Sequence, residues 1–223
     1  MCNLYNLTKG PQALLRLAEA FENKAGNLPP SDFFPDSAAP VIRVCQNGGR
    51  EIARLRWGMP STPFALKGRD TDPGVTNIRN AASPHWRRWL GVEHRCLVPA
   101  TRFCEWEDTK PRKTKVWFAL TERQAEDDAD GEPLFFFAGI WTRWQGVRKK
   151  AEGPMEHEVF GFLTTEANAV VKPIHPKAMP VLLTTREEVE TWMSAPASEA
   201  LKLQRPLPDG LMRILGRGDQ AEH

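Results

Sequence analysis

The sequence predicts a single α+β domain built on a largely antiparallel, barrel-like β-sheet with a few flanking helices. Three observations carry this reading. The 223 residues suffice for one sizeable core. Short apolar runs recur between turn residues, which is the pattern of strands. Helical patterns are few and do not alternate with those runs, which argues against a doubly wound parallel sheet. No segment repeats at the spacing of a solenoid. One domain over residues 1–223 follows, with a frayed polar tail at 218–223.

The elements follow in order. Gly10-Pro11 opens a helix, because proline suits the first helical turn and Leu14, Leu17, Ala18 and Phe21 share one face. The pattern fades at Gly26 into a loop rich in Pro, Asp and Ser that lasts to Pro40. Strands are expected at 41–45 and 52–57, joined by the turn Asn47-Gly48-Gly49, and at 95–99. Further strands are expected at 116–121, 134–141 and 158–165, with a polar, acidic hairpin excursion at 122–133. Short helices are expected at 166–171 and 186–193.

Composition narrows the classes. Hydrophobic residues make up 41% and charged residues 26%, as in an ordinary soluble globular protein. No apolar run reaches the ~18 residues of a membrane span. The N-terminus lacks the basic-then-apolar pattern of a secretory signal, so a cytoplasmic address is expected. The four cysteines, Cys2, Cys45, Cys96 and Cys104, form no C-x-x-C pair. Neither a metal site nor a disulfide framework is expected, and no cofactor.

Net charge is only +2, but its distribution is uneven. Basic residues gather at Arg87, Arg88, Lys110, Arg112, Lys113 and Lys115, and again at Arg143, Arg148, Lys149 and Lys150. Trp86 and Trp89 interleave with Arg87 and Arg88. Flat rings beside guanidinium groups suit the bases and phosphates of a single nucleic-acid strand. The same rings also suit a core.

Cys2 offers chemistry that no internal cysteine has. Removal of Met1 leaves a free α-amine beside a thiol. The amine condenses with an aldehyde to an imine, and the thiol closes on that imine to a five-membered thiazolidine. An α-amine titrates near ~8 and a thiol near ~8.5, so both react close to neutral pH. Three further places stand out. Asn77 and Arg79 lie in the polar cluster Thr76-Asn77-Ile78-Arg79-Asn80, just after the turn Asp72-Pro73-Gly74. Glu105 sits in Phe103-Cys104-Glu105-Trp106, a carboxylate among apolar neighbours, where a raised pKa suits proton transfer. His175 lies in Ile174-His175-Pro176, ahead of Met179-Pro180-Val181-Leu182.

Together these elements, with Arg56-Trp57-Gly58, resemble the SOS-response-associated peptidase family of abasic-site processing proteins, in the family's order along nearly the whole chain. The resemblance implies a single domain of that family's fold, active on DNA damage in the SOS response. Cys2 would form a thiazolidine crosslink with the ring-opened sugar of an abasic site in single-stranded DNA, shielding the lesion. Asn77 would position the N-terminus, Glu105 would handle protons at the amine, and His175 would assist ring opening. Arg79 would hold phosphate, with Trp57, Trp86, Arg87, Arg88 and Trp106 completing the expected DNA contacts. The chain would remove Met1 autocatalytically, act as a monomer, and join the nucleoid at damaged DNA. Two departures stand against this. Asn3-Leu4 replaces the family's Gly-Arg, and Asn80-Ala81-Ala82 stands where a Glu usually follows the Asn-x-Arg element. Two rival readings use the same residues differently: an N-terminal-nucleophile peptidase or amidohydrolase built on Cys2, and a non-enzymatic single-strand-binding module.

Overall fold

A computed structural model of the chain describes residues 2–45, 47–121 and 132–218. The strands, in chain order, are β1 (Leu4–Leu7), β2 (Glu22–Asn23), β3 (Ser31–Phe33), β4 (Ala38–Val44), β5 (Arg50–Trp57), β6 (Asn77–Ile78) and β7 (Arg95–Ala100). They continue with β8 (Arg102–Glu107), β9 (Thr114–Leu120), β10 (Phe135–Gly146), β11 (Met155–Thr165), β12 (Met179–Pro180), β13 (Leu182–Leu183) and β14 (Met212–Arg217). The α-helices are α1 (Pro11–Leu17), α2 (Pro63–Leu66), α3 (Pro84–Arg87), α4 (Arg186–Ser194) and α5 (Ala197–Ala200).

The α+β architecture and the barrel are both present. β4 pairs antiparallel with β5 and β7, β7 with β10, and β10 with β11. The sheet then closes on itself where β11 meets β5 in parallel, at Val159 opposite Arg56 and Phe160 opposite Trp57. A second sheet runs in the order β14-β9-β8-β1-β3, antiparallel throughout. Closure leaves the barrel strands few unpaired edges, which suits so short a set of strands.

Aromatic rings fasten the two sheets together. Phe137 of β10 stacks on Phe162 of β11 with centroids 4.5 Å apart, and Phe103 of β8 meets Phe137 edge-on at 6.2 Å. Such pairs add roughly 0.5–1.5 kcal/mol each beyond the area they bury. α4 is anchored from its own sequence. Thr185 and Glu188 form a reciprocal capping box, and Val189, Trp192 and Met193 supply the buried face. Trp192 Nε1 donates to the carbonyls of Cys96 and Gly139, at 3.0 and 3.2 Å, across β7 and β10.

Two expected helices differ, and some strands arise where none was expected. The first helix stops at Leu17; Glu19 turns to a positive φ of 49°, and Phe21 is left 86% exposed. The expected helix at 166–171 is a run of turns. Asn168 bonds the Val171 N–H through its side chain, and Pro173 has no N–H with which to continue a helix. β1, β3 and β14 were not expected and complete the second sheet, β3 lying in the stretch expected as a loop. The acidic excursion expected at 122–133 falls mostly outside the described residues, as does most of the tail at 218–223.

The loop at 59–75 is closed at its neck and leads directly into the site. Met59 and Val75 exchange backbone hydrogen bonds of 2.9 and 2.7 Å. The buried Arg148 guanidinium reaches into the neck, donating to the Asp72 carbonyl at 3.0 Å and to the Gly58 carbonyl. The Asp72 carboxylate accepts from Ser61 N, Ser61 Oγ and Gly74 N at 2.6–2.8 Å. A Cβ on Gly74 would meet Arg148 Nη1 and stand 2.9 Å from Gly58 Cα, whereas one on Gly26 would meet nothing within 4 Å. Both glycines have φ of +73° to +80°. Gly26→Ala should therefore cost only the left-handed strain, about 1 kcal/mol. Gly74→Ala should cost about 2 kcal/mol more, from overpacking against the neck. Urea unfolding of the two variants checks this; equal losses would mean the neck yields freely.

Candidate functional site

β1 lies between β3 and β8, so the residues just before it are carried into the interior. Cys2 is fully buried. Asn77 Nδ2 donates to the Cys2 carbonyl at 2.8 Å and to Thr76 Oγ1 at 2.8 Å. Asn77 Oδ1 is buried and has no hydrogen-bond partner among the described residues, leaving an acceptor beside the start of the chain. Asn77 is itself held on both sides. β6 pairs with Phe162 and Leu163 of β11, and the Thr76 carbonyl accepts from Trp57 Nε1 at 3.2 Å.

Glu105 stands on β8 with its side chain on the face shared by Phe103, since alternate residues of a strand point the same way. It is 1% exposed. Burial pushes its carboxyl up to about 7, against the downward pull of the chain's positive amino terminus. The Cys2 thiol is raised well above its usual value, first by burial and next by the charge of Glu105. Its Sγ–H donates to the Leu4 carbonyl at 3.4 Å. His175 is half-buried, at the end of the turns that replace the expected helix, where its N–H bonds the Val171 carbonyl. Its Nδ1 donates to the Ala178 carbonyl at 3.1 Å, which makes Nε2 the basic nitrogen. Burial, then the positive amino terminus, hold its pKa below the usual value.

These effects tie the site together. The amino terminus shifts both Glu105 and His175, and Glu105 shifts Cys2. A thiol, a carboxylic acid near neutrality and an imidazole thus share one electrostatic neighbourhood around the start of the chain. Among the described residues no cluster of three or more His, Cys, Asp or Glu could hold a metal, and all four cysteines are free thiols.

The expected DNA contacts divide differently. Trp57 is wholly buried inside the barrel, stacked on Phe162 at 5.2 Å, and cannot stack on a base. Trp86 is only 9% exposed and packs in the core with Trp89. Arg87 and Arg88 are exposed, and Arg88 lies over the Trp89 ring at 4.2 Å. Trp106 is half-exposed, on the β8 face opposite Glu105, with Lys115 Nζ 5.8 Å from its ring. Arg79 is exposed, but its Nη1 already donates to the Thr165 and Lys177 carbonyls at 2.8 Å, bracing the His175 turns against the end of β11. Sequence reasoning missed the support offered by Thr76, Asp72 and Arg148.

A family profile described as SOS response associated peptidase (SRAP) matches residues 1–215. The chain belongs to the SRAP family. Abasic site processing protein YoqW of Bacillus subtilis (strain 168) is 29% identical over 177 residues, 75% of this chain and 70% of that protein. YoaM of the same strain, which carries the same description, is 28% identical over 199 residues, 80% of this chain and 77% of its own. Rat abasic site processing protein HMCES is 24% identical over 203 residues, 78% of this chain and 56% of its own. In fold, a crystal structure of a protein from Bordetella bronchiseptica matches with a TM-score of 0.70 at 23% identity, covering 96% of this chain and 98% of that one. One from Bacteroides thetaiotaomicron matches at 0.69 and 20%, covering 96% and 92%.

One departure from the SRAP pattern has a structural consequence. Leu4, which stands where the family has arginine, is 1% exposed and packs with Cys104 and Trp117 on the second sheet. No cation is offered from that position.

The raised pKa of Glu105 sets the sign of a pH effect. The folded protein keeps this proton up to about 7, while the unfolded chain releases it near 4.5. Stability from this group is therefore present below 4.5 and lost as pH rises through 7. Glu105→Gln cannot ionise. Relative to wild type it should gain up to roughly 3 kcal/mol between pH 5 and pH 8. Denaturant melts at the two pH values measure the difference, and a pH-independent gap would show that Glu105 ionises freely in the fold.

Proposed function

We propose that this SRAP chain captures abasic sites in single-stranded DNA covalently, through the α-amine and thiol that Cys2 exposes once Met1 is gone. The observation that carries the proposal is the convergence of Asn77, Glu105 and His175 on the start of the chain. Asn77 holds the Cys2 carbonyl at 2.8 Å, while Glu105 and His175 both feel the charge of the amino group of Met1, one residue ahead of the amine the reaction would use. The descriptions of YoqW, YoaM and HMCES as abasic site processing proteins agree with it.

In this reading the chemistry runs in two stages. The ring-opened sugar of an abasic site presents an aldehyde. Holding it beside the amine turns a slow bimolecular condensation into an intramolecular one. His175 Nε2 takes the proton of the anomeric hydroxyl and returns it to the ring oxygen, which leaves as a hydroxyl as the ring opens to the aldehyde. Glu105, poised near neutrality, takes a proton from the attacking amine and returns one to the carbinolamine hydroxyl, which leaves as water. The thiol then adds across the C=N bond, its sulfur to carbon and its proton to nitrogen. The closed ring is more durable than a simple imine, which suits shielding the lesion over cutting the strand. Arg87, Arg88 and the free edge of Arg79 supply cations for the backbone, so binding should weaken as salt rises.

The test is denaturing electrophoresis after mixing the mature protein with an oligonucleotide that carries one abasic site. A heat-stable band is expected. Cys2→Ala should leave at most an imine that borohydride traps. A protein with an unremovable tag before Met1 keeps the thiol but loses the amine; it should bind DNA and form no band. If the tagged protein crosslinks as well as the mature one, an ordinary thiol or lysine adduct replaces this mechanism. Glu105→Ala and His175→Ala should each slow capture by roughly 10²- to 10⁴-fold, the usual worth of general acid–base help. Rates within about threefold of wild type for both would remove these two residues from the chemistry. Turnover of an amide without any DNA adduct would favour the N-terminal-nucleophile reading instead.

A further inference from the structure

Arg88 is exposed, yet its guanidinium is held from three directions. It lies over the Trp89 ring at 4.2 Å. Its Nε donates to the His85 carbonyl at 3.1 Å, and its Nη2 to His85 Nδ1 at 2.9 Å. Arginine can only donate, so Nδ1 must carry the lone pair. The other ring nitrogen agrees. His85 Nε2 lies 2.8 Å from the Pro60 carbonyl, which can only accept, so the proton sits on Nε2. Both neighbours thus demand the same neutral tautomer. The imidazole itself is wedged edge-on against Trp86 at 4.4 Å and Trp89 at 5.2 Å.

An arginine on a surface ordinarily keeps its rotamer freedom. Stacking and two hydrogen bonds remove it here, and none of those partners carries a negative charge. The guanidinium is therefore fixed without being neutralised, as preorganised recognition of an anion requires. His85 takes up its side edge, formed by Nε and Nη2. The end edge remains, Nη1 with the second N–H of Nη2, a fork that matches two oxygens of a phosphate. The surroundings carry the same sign. Arg87 is exposed beside Arg88, and Lys67 and Arg69 are exposed on the loop that the Pro60 bond ties to α3. The acids of that loop do not offset them. Asp72 faces inward to Ser61 and Gly74, and Asp70 pairs with Lys150 at 3.4 Å. Pro60 also follows Met59, whose partner Val75 leads through Thr76 to Asn77. The clasp thus joins α3 to the neck of the loop that carries Asn77.

We propose that His85 is a positioning residue that, with Trp89, sets Arg88 as a seat for a backbone phosphate of a single-stranded nucleic acid. The inference rests on the reading that this chain engages single strands, and it names the residue that shapes the grip. His85 does not touch the strand. It acts through Arg88, accepting from the guanidinium on one side while Pro60 anchors it on the other.

The test is fluorescence anisotropy with an undamaged single-stranded oligonucleotide over a range of salt. Arg88→Ala should weaken binding about 10-fold, as expected for one hydrogen-bonded contact to a charged group. It should also lower the slope of log affinity against log salt by about 0.7, one phosphate contact fewer. His85→Phe keeps a ring against Trp86 and Trp89 and removes both nitrogens. It should weaken binding about 2- to 10-fold, the effect of having to order one free side chain on binding. Its salt slope should not change, because the charge is still present. Arg88→Ala should then cost less affinity in the His85→Phe background than in wild type. Equal losses in the two backgrounds, or wild-type affinity in His85→Phe, overturn the assignment. A second measurement needs no variant to fold beyond Arg88→Ala, which identifies the signal. In the wild-type NMR spectrum the Arg88 Nε–H should stand apart from the averaged position of free arginines and shift as the oligonucleotide is added. A signal at the averaged position overturns the clasp, and a shift with inorganic phosphate but none with the strand overturns the ligand. Capture is judged separately by the heat-stable band. Binding through Arg88 without any adduct at an abasic site sinks the capture reading and leaves this one. An adduct from wild type, with Arg88→Ala binding as tightly, does the reverse.

Discussion

The whole site depends on holding a chain terminus, ordinarily the loosest part of a domain, inside a packed core. Cys2 is fully buried, and the hydrogen bond from Asn77 Nδ2 to its carbonyl is what pins it there. Everything nearby serves that bond. β1 pairs on both edges, so the residue before it cannot swing out. β6, only two residues long, stands against β11 and presents Asn77 at a fixed height. Trp57 closes the arrangement from inside the barrel by bonding the Thr76 carbonyl. Two backbone carbonyls and two side-chain donors thus replace the long element that would normally order a terminus.

The barrel seam explains why so short a strand as β6 can be trusted with this task. Where β11 meets β5 in parallel, Phe160 lies opposite Trp57, and the Gly58 N–H bonds the Phe160 carbonyl at 2.7 Å. The chain leaves the seam at Gly58, makes the closed loop and re-enters beside β11 at Thr76. Because Arg148 and Asp72 join the two ends of that loop, the neck beside Asn77 is fixed by its own contacts rather than by those of the tip. Phe64, 84% exposed, sits on the tip side of that division.

Much of this was legible in the sequence, for reasons that differ from residue to residue. The long strands announced themselves because each has apolar runs bounded by turn residues, as at Asn47-Gly48-Gly49. α4 carries its own start signal in Thr185 and Glu188. β1 was not legible, because four residues between the terminus and Pro11 are too few to show a period. Only pairing with the distant β3 and β8 makes them a strand. The expected helix at 166–171 failed for a local reason, since the Asn168 side chain competes for backbone and Pro173 blocks continuation. Trp57 was misread for a subtler one. Beside Arg56 it looks like a nucleic-acid contact. Yet Ala53, Leu55 and Trp57 alternate with Arg54 and Arg56, and that period of two already assigns the indole to the core. Glu105 follows the same rule. It shares the inward face with Phe103, whereas Trp106 is turned to the opposite one.

The electrostatics also bear on which Cys2 chemistry the site favours. A cysteine that attacks first must be a thiolate, and sites of that kind lower the thiol pKa with a nearby cation or a helix N-terminus. Here burial and the Glu105 carboxylate both act the other way, and the S–H is spent on the Leu4 carbonyl. A hydrolase that opens with sulfur would work against its own environment. An amine that opens the reaction would work with it. Glu105 near neutrality can accept a proton from the ammonium form, and Asn77 Oδ1 is a buried acceptor with no partner among the described residues. Sulfur is then needed only after the imine exists, when the positive charge on an iminium nitrogen offsets what burial costs the thiolate. Under the proposed chemistry, a thiol held protonated by burial would react only once the amine had bonded an aldehyde.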